Sequence, residues 1–352
     1  MRTAFVSAGL AGAAIVAVAA ATMFRSDRNV PPTQDRTLTI SVYGFSQDDY
    51  STILYKPFEA QCGCKVIVEV GNSSERLAKL DANRAHPVID IAVLATSDAL
   101  EAARSGLLAK IDASKLANYP KLYDIAKDPN RDGMAVGYTI YSTSIVYRAD
   151  KVAITSWGDL LSNELSGYVA LPSVYTNQGP QTFYMIGRAM GSSRSDLQVP
   201  IDAVGARKDA VATFYVRASQ LAQLFGQEEI WAAPVGRFAW ASLKKSRLPL
   251  RWATPKEGQI GSMNVMVLVK GSKHADLARR FIDFWLSTEV QTKLAQRLID
   301  SPANKDVRVP PEIADNLTYG PDMIRQLRFM DSVVVVNNKR LWLAKANRVI
   351  GQ

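Results

Sequence analysis

Only two cysteines and two histidines occur among the 352 residues. A structural zinc needs about four ligands at workable spacing. Cys62 and Cys64 stand together, whereas His86 and His274 lie in separate segments, so no metal site is expected. The same shortage leaves few players for histidine-dependent acid–base or triad chemistry. No G-x-S-x-G elbow, no G-x-x-x-x-G-K-[ST] phosphate loop and no H-E-x-x-H pair is present. Asp48 and Asp49 are adjacent carboxylates, but neighbours in a loop point apart into water more readily than they converge. No catalytic residue and no cofactor is expected, and an enzyme ranks last among the readings. The formal charge is +9, spread along the chain rather than gathered in a basic block. With no RNP motif, no paired-Cys and paired-His finger and no basic region before heptads, nucleic acid is not an expected partner.

What is present is the balance of a soluble chain long enough for two ordinary cores, 47% hydrophobic and 21% charged. The N-terminus departs from that balance. Arg2 precedes an uncharged run over 3–24, and Ala19, Ala20 and Ala21 supply an A-x-A cleavage pattern. The reading is a signal peptide over 1–21, a polar leader over 22–36 and a periplasmic mature chain. The alternative is an uncleaved membrane anchor, since about 20 apolar residues span a bilayer. For Cys62-Gly63-Cys64 the alternatives are a small disulfide in an oxidising compartment and a surface loop whose thiols do no chemistry; the loop is the simpler. Either way the pair falls between the first helix and the second strand, away from any site at the strand ends.

Strand, polar turn and helix then recur. Residues 38–43 read as a strand and 50–60 as a helix; 65–70 is a second strand, followed by a helix over 75–85 that Ser73 or Ser74 can cap. A third strand covers 89–94, and Ser97 or Asp98 caps the next helix. This alternation predicts a mostly parallel sheet covered by helices, with a ligand site at the carboxyl ends of the strands. The β-prone stretch 137–147 is longer than an average strand and suits a crossing between domains. A second α/β set follows, with a helix over 181–190 entered through Thr176-Asn177-Gln178-Gly179-Pro180, and a buried strand over 263–269 resumes after Pro255-Lys256-Glu257-Gly258.

Four blocks, in order and spacing, resemble the spermidine/putrescine-binding branch of the solute-binding proteins of ABC importers. They are Lys56-Pro57-Phe58-Glu59-Ala60 leading to Gly63 and Val66; Gly106-Leu107-Leu108-Ala109-Lys110-Ile111-Asp112; Thr155-Ser156-Trp157-Gly158-Asp159-Leu160-Leu161; and Pro255-Lys256-Glu257-Gly258. Gly271-Ser272-Lys273, then Phe281, Phe284 and Ser287-Thr288-Glu289-Val290-Gln291, fit the same family. The resemblance implies an α/β, type II periplasmic binding protein-like fold, with two lobes joined by a hinge and a ligand in the cleft between them. Lobe one would comprise 37–140 and 260–305, lobe two 141–259, and a helical tail 311–352 would pack across lobe two or the hinge. The implied function is capture of a small ligand and its delivery to the transmembrane permease of an ABC importer, by a monomer. The alternatives are a polyamine binder of the same fold and a sensor that presents its ligand to a membrane signalling receptor.

In such an architecture the ligand meets the loops after the strands. The candidates are Tyr43, Phe45, Ser46, Ser73, Ser74, Thr96, Ser97, Tyr141, Thr176, Gln178, Ser219, Arg237, Asn264 and Asn304. Ser73, Ser97, Thr176 and Ser219 equally suit helix caps, Tyr43, Phe45 and Tyr141 suit hinge packing, and Asn304 suits a turn. The family's polyamine sites pair aromatic rings with carboxylates, and this chain departs from that scheme. Ser262 and Asn264 stand for an aromatic and a carboxylate, Ser97 for an aromatic, and the neutral stretch Tyr175-Thr176-Asn177-Gln178 for an acidic pair. Gly236 and Arg237 stand where a tryptophan would line the pocket. The expectation is an anionic or zwitterionic ligand, with Arg237 on its acid group and Asn264 beside it.

Overall fold

The structure, a computed structural model, describes residues 36–192 and 196–352. The expected signal peptide over 1–21 and all but the last residue of the leader over 22–36 lie outside the described residues. Among the described residues, no helix is long and apolar enough to cross a membrane.

Ten strands make one sheet. They are β1 (Thr37–Val42), β2 (Lys65–Val70), β3 (Ile91–Ala95), β4 (Leu108–Ala109), β5 (Ala135–Arg148), β6 (Val169–Pro172), β7 (Val211–Tyr215), β8 (Ala232–Gly236), β9 (Leu250–Trp252) and β10 (Ile260–Val269). The main path runs β2-β1-β3-β10-β5-β8-β6-β7. β1 pairs in parallel with β2 and β3, and β6 pairs in parallel with β7 and β8, so each half carries a parallel set. The pattern of burial follows position in the sheet. β3, β6 and β8 are buried at every residue, as expected of strands covered on both faces, whereas the edge strands β2 and β7 expose part of theirs.

Two strands join the halves. The first part of β5 pairs with β10 and its second part with β8, so one unbroken strand runs from the first core to the second. The expected crossing over 137–147 is this strand. Where it crosses, Tyr141 lies opposite Ser262 and Ser142 opposite Gly261 on β10. One core gathers Leu38, Phe58, Ile91, Val265, Phe281 and Trp285; another gathers Trp157, Leu171, Phe183, Ile186 and Ile201. A further cluster around Phe225, Ile230 and Trp240 backs the second half. We refer to the halves as lobe one and lobe two.

The last stretch of chain pins the crossing. The Ser142 amide donates to Thr318 Oγ1 at 2.7 Å, and the Thr318 amide donates to Ser301 Oγ at 2.9 Å. The Gly261 amide donates to the Arg328 carbonyl at 2.6 Å, and a Cβ at Gly261 would lie 2.5 Å from the Phe329 ring. The final helix, Ser332–Ile350, then buries Trp342, Ala346 and Ile350 in the lobe-two core. Its polar face reaches lobe one, where Lys339 Nζ lies 3.1 Å from Asp98 Oδ1 and Arg104 Nη1 donates to Asn337 Oδ1 at 2.9 Å.

The first helical segment runs as Gln47–Tyr50, a π-helical turn Ser51–Tyr55 and Lys56–Cys62, and ends at Gly63, whose φ of 60° is the left-handed conformation that glycine adopts without strain. A disulfide closes Cys62 to Cys64, correcting the simpler expectation of free thiols. It sits just before β2, at the amino ends of the parallel strands, while the cleft lies at their carboxyl ends. Replacing both cysteines with serine is therefore expected to leave solute affinity unchanged. A loop this short constrains the unfolded chain little, so the stability loss in urea unfolding should not exceed about 1.5 kcal/mol.

Candidate ligand cleft

The carboxyl ends of β1 and β3 bring Tyr43 and Thr96 to one side of the cleft, and those of β6 and β8 bring the 173–178 turn and Phe238 to the other. The lobes meet through named contacts. Asn177 Nδ2 donates to the Tyr43 hydroxyl at 3.4 Å, and that hydroxyl donates to Asn264 Oδ1 on β10 at 3.2 Å. Ser262 Oγ donates to Gln181 Oε1 at 2.6 Å, and Gln178 Nε2 donates to Thr143 Oγ1 at 3.3 Å. Phe238 presents its ring edge-on to Phe45, at 6.3 Å, and to Tyr141, at 5.2 Å. The result is a polar seam flanked by aromatic rings. Two surface concavities, of about 240 and 650 Å³, are lined by none of these residues.

The lobe-two turn owes its shape to a glycine. Thr176 Oγ1 donates to the Ser173 carbonyl at 2.7 Å and accepts from the Gly179 amide at 3.1 Å, closing the entry to helix Gln178–Ala189. A Cβ at Gly179 would stand 2.2 Å from the Ser173 carbonyl oxygen and 2.6 Å from Val174 Cα, both backbone atoms that cannot swing aside. Gly179→Ala is expected to lower the unfolding free energy by about 2–3 kcal/mol in urea titration and to displace Asn177 and Gln178 from the seam.

Burial raises the pKa of Tyr43 even though Arg76 and Ser73 pull it down, so its hydroxyl stays protonated and able to donate. Burial likewise pushes Tyr141 up. Both tyrosines are thus neutral donors at ordinary pH.

Of the expected site residues, Tyr43, Phe45, Tyr141, Gln178 and Asn264 take part in the seam or its aromatic flank. Ser46 has a φ of 49° and heads the helix at Gln47–Tyr50. Thr96 bonds to the Met263 carbonyl at 3.2 Å, on the neighbouring β10, and Ser97 is half-buried beside it. The expected caps differ in register. Asn72 caps helix Ser73–Ala82, with its amide held by Glu75 Oε2 at 2.7 Å, and Ala95 precedes helix Thr96–Arg104, so neither Ser73 nor Ser74, and neither Ser97 nor Asp98, is the cap. The buried Ser73 hydroxyl instead accepts from the Ala95 amide at 2.9 Å, tying the helix to the end of β3, while Ser74 is exposed. Thr176 closes its turn, and Ser219 is exposed after edge strand β7. Asn304 spends its amide on the Leu286 carbonyl at 2.9 Å and on Thr288 Oγ1 at 3.3 Å, while its Oδ1 accepts from the Asp306 amide. Arg237 lies over the Trp252 ring at 4.5 Å and donates to the Asp315 carbonyl. Burial lowers its pKa to about 10.

Six contributors to the cleft were absent from the sequence-based candidates: Arg76, Thr143, Asn177, Gln181, Phe238 and Ser262. Arg76 and Gln181 stand inside helices, where a polar residue ordinarily marks the solvent face. Phe238 follows a strand end, the position rule that selected Arg237 next to it.

A model of the bacterial extracellular solute-binding protein family matches residues 54–320. The spermidine/putrescine-binding periplasmic protein of Escherichia coli is 26% identical over 284 residues, covering 76% of this chain and 79% of that one. The putrescine/cadaverine-binding protein of Pseudomonas aeruginosa is 25% identical over 314 residues, covering 83% and 88%. The crystal structure of an ABC transporter from Clostridium perfringens, 31% identical, superposes with a TM-score of 0.76 over 89% of this chain and 99% of its own. The two-lobed architecture expected from the sequence is the one found. The chain belongs to the family of bacterial extracellular solute-binding proteins.

Proposed function

We propose that the chain captures a small solute between its lobes in the periplasm and hands it to the transmembrane permease of an ABC importer, acting as a monomeric binding protein without catalysis. The observation that carries this reading is the seam itself. Tyr43 from lobe one, Asn264 from the crossing strand and Asn177 from lobe two share one hydroxyl, so a solute placed there touches both lobes at once. A ligand with differential affinity for the closed arrangement shifts the population toward it, and closure is the signal a permease can read. The lobe boundaries we propose fall at 140–143 on β5 and 260–263 on β10, where the two crossings lie side by side. The names of the relatives favour a second reading within the same role, in which the solute is a polyamine. Small-angle scattering and thermal shift on the full chain test the role. A bound solute should shrink the radius of gyration and raise Tm, and Phe238→Ala should weaken both effects. A Tm insensitive to every solute offered, with no solute retained through purification, would overturn it.

A further inference from the structure

One charged side chain at the cleft has no counter-charge. Arg76 is 2% exposed and rises from the first turn of helix Ser73–Ala82. It spans the carboxyl ends of the lobe-one strands. Nε donates to the Val93 carbonyl at 2.7 Å, Nη1 donates to the Gly71 carbonyl, and the guanidinium lies against the Tyr43 ring at 3.9 Å. Nη2 is buried without a hydrogen-bond partner. No ion pair reaches Arg76 among the described residues. Asp98 acts electrostatically on the Tyr43 hydroxyl; its Oδ1 is held by Lys339, while its Oδ2 is buried without a hydrogen-bond partner.

A buried guanidinium supported only by carbonyl dipoles is strongly unfavourable until a negative group completes it. We infer that Arg76 anchors the carboxylate of an acid-bearing solute, which Nη2 receives beside the Tyr43 hydroxyl. The assignment rests on the solute-binding role proposed above and names the chemical class that role serves. The polar groups of the seam itself, Tyr43, Asn177, Gln181 and Asn264, are neutral, the nearby Asp98 is already paired with Lys339, and an ammonium next to Arg76 meets like charge. A carboxylate meets a charge-assisted donor whose direction is already fixed by its two carbonyl bonds. Arg237, the arginine expected in this role from sequence, stacks on Trp252 and donates to the Asp315 carbonyl, with its Nε also buried without a partner. It is less buried than Arg76 and bonds to the chain segment after lobe two rather than to the strand ends of lobe one.

The test is isothermal titration of the full chain with three four-carbon probes: putrescine, 4-aminobutyrate and succinate. Mass spectrometry of any solute that co-purifies runs alongside. At least one acid-bearing probe should bind, with affinity falling about 100-fold in Arg76→Gln, which keeps a polar amide near the Val93 carbonyl but removes the charge and the fork. Arg76→Lys, which keeps the charge but not the fork, should fall between the two and serves if Arg76→Gln fails to fold. Tight putrescine binding unaffected by Arg76→Gln overturns the assignment while leaving the solute-binding role intact. If no probe binds, the co-purified solute decides: an acid group lost from the Arg76→Gln preparation supports it, and a solute with no acid group overturns it. No bound solute of any kind removes the solute-binding role, and this assignment with it.

Discussion

Trp342→Ala is expected to lower the unfolding free energy by about 3–5 kcal/mol, the range for emptying a large aromatic from a core. Trp342 is 1% exposed and lies on helix Ser332–Ile350, where Ala346 and Ile350 follow at four-residue spacing and complete one apolar stripe. That stripe packs into the core built by Trp157, Phe183, Ile186 and Ile201, so the last helix is an integral part of lobe two. The same helix reaches lobe one through polar contacts from Lys339 and Asn337. Loss of the indole therefore acts on lobe two first. Trp342 Nε1 is buried without a hydrogen-bond partner, so part of the ring's favourable burial is offset by an unmet donor. Trp342→Phe removes that donor along with some volume and should cost less than about 2 kcal/mol. Urea unfolding of both variants, followed by tryptophan fluorescence and circular dichroism, checks the pair. Equal losses in the two variants would show that the donor is satisfied in solution.

The architecture was legible where one-dimensional pattern and three-dimensional role coincide. β3 is a continuous apolar run and is buried at every position; β5 is a long β-prone stretch, free of breakers beyond Gly137, and crosses between the lobes. The cleft was half legible for a different reason. Strand-end position selects residues such as Tyr43, Tyr141 and Gln178, but it does not say which way a side chain turns. Arg237 and Phe238 follow the same strand end, and the phenylalanine faces Phe45 and Tyr141 while the arginine stacks on Trp252. Arg76 was invisible because a helical arginine reads as solvated. What buries it is Tyr43 after β1, the Gly71 carbonyl after β2 and the Val93 carbonyl within β3, a coincidence of tertiary structure that no local window contains. Caps were legible in part: Ser219 stands at the N-cap of helix Gln220–Gly226, but Asn72 takes the place next to Ser73, and Ala95 the place two residues before Ser97.

Stability is expected to fall as pH rises from about 4 to above 7, through Asp300, and Asp300→Asn should abolish that contribution. Asp300 is 8% exposed, among Tyr50, Tyr55, Tyr138 and Thr139, with no cation paired to it. Burial pushes its pKa up to about 7, against the opposing hydrogen bond from Tyr50, whose hydroxyl donates to Oδ2 at 2.6 Å. The unfolded chain releases this proton near the ordinary value of 3.8, so between the two values the folded state binds more protons than the unfolded one. The contribution is therefore complete below pH 4, declines through the interval and is gone above about 7. At 1.36 kcal/mol per pKa unit it amounts to roughly 4 kcal/mol. Asparagine keeps an acceptor for Tyr50 and carries no charge. Asp300→Asn should be close to wild type at pH 4 and more stable by roughly 2–4 kcal/mol at pH 8. Urea unfolding of both proteins at pH 4, 5.5, 7 and 8 isolates the effect, because every other titrating group is common to the pair. Parallel curves across that range would show that the carboxyl is hydrated or paired in solution.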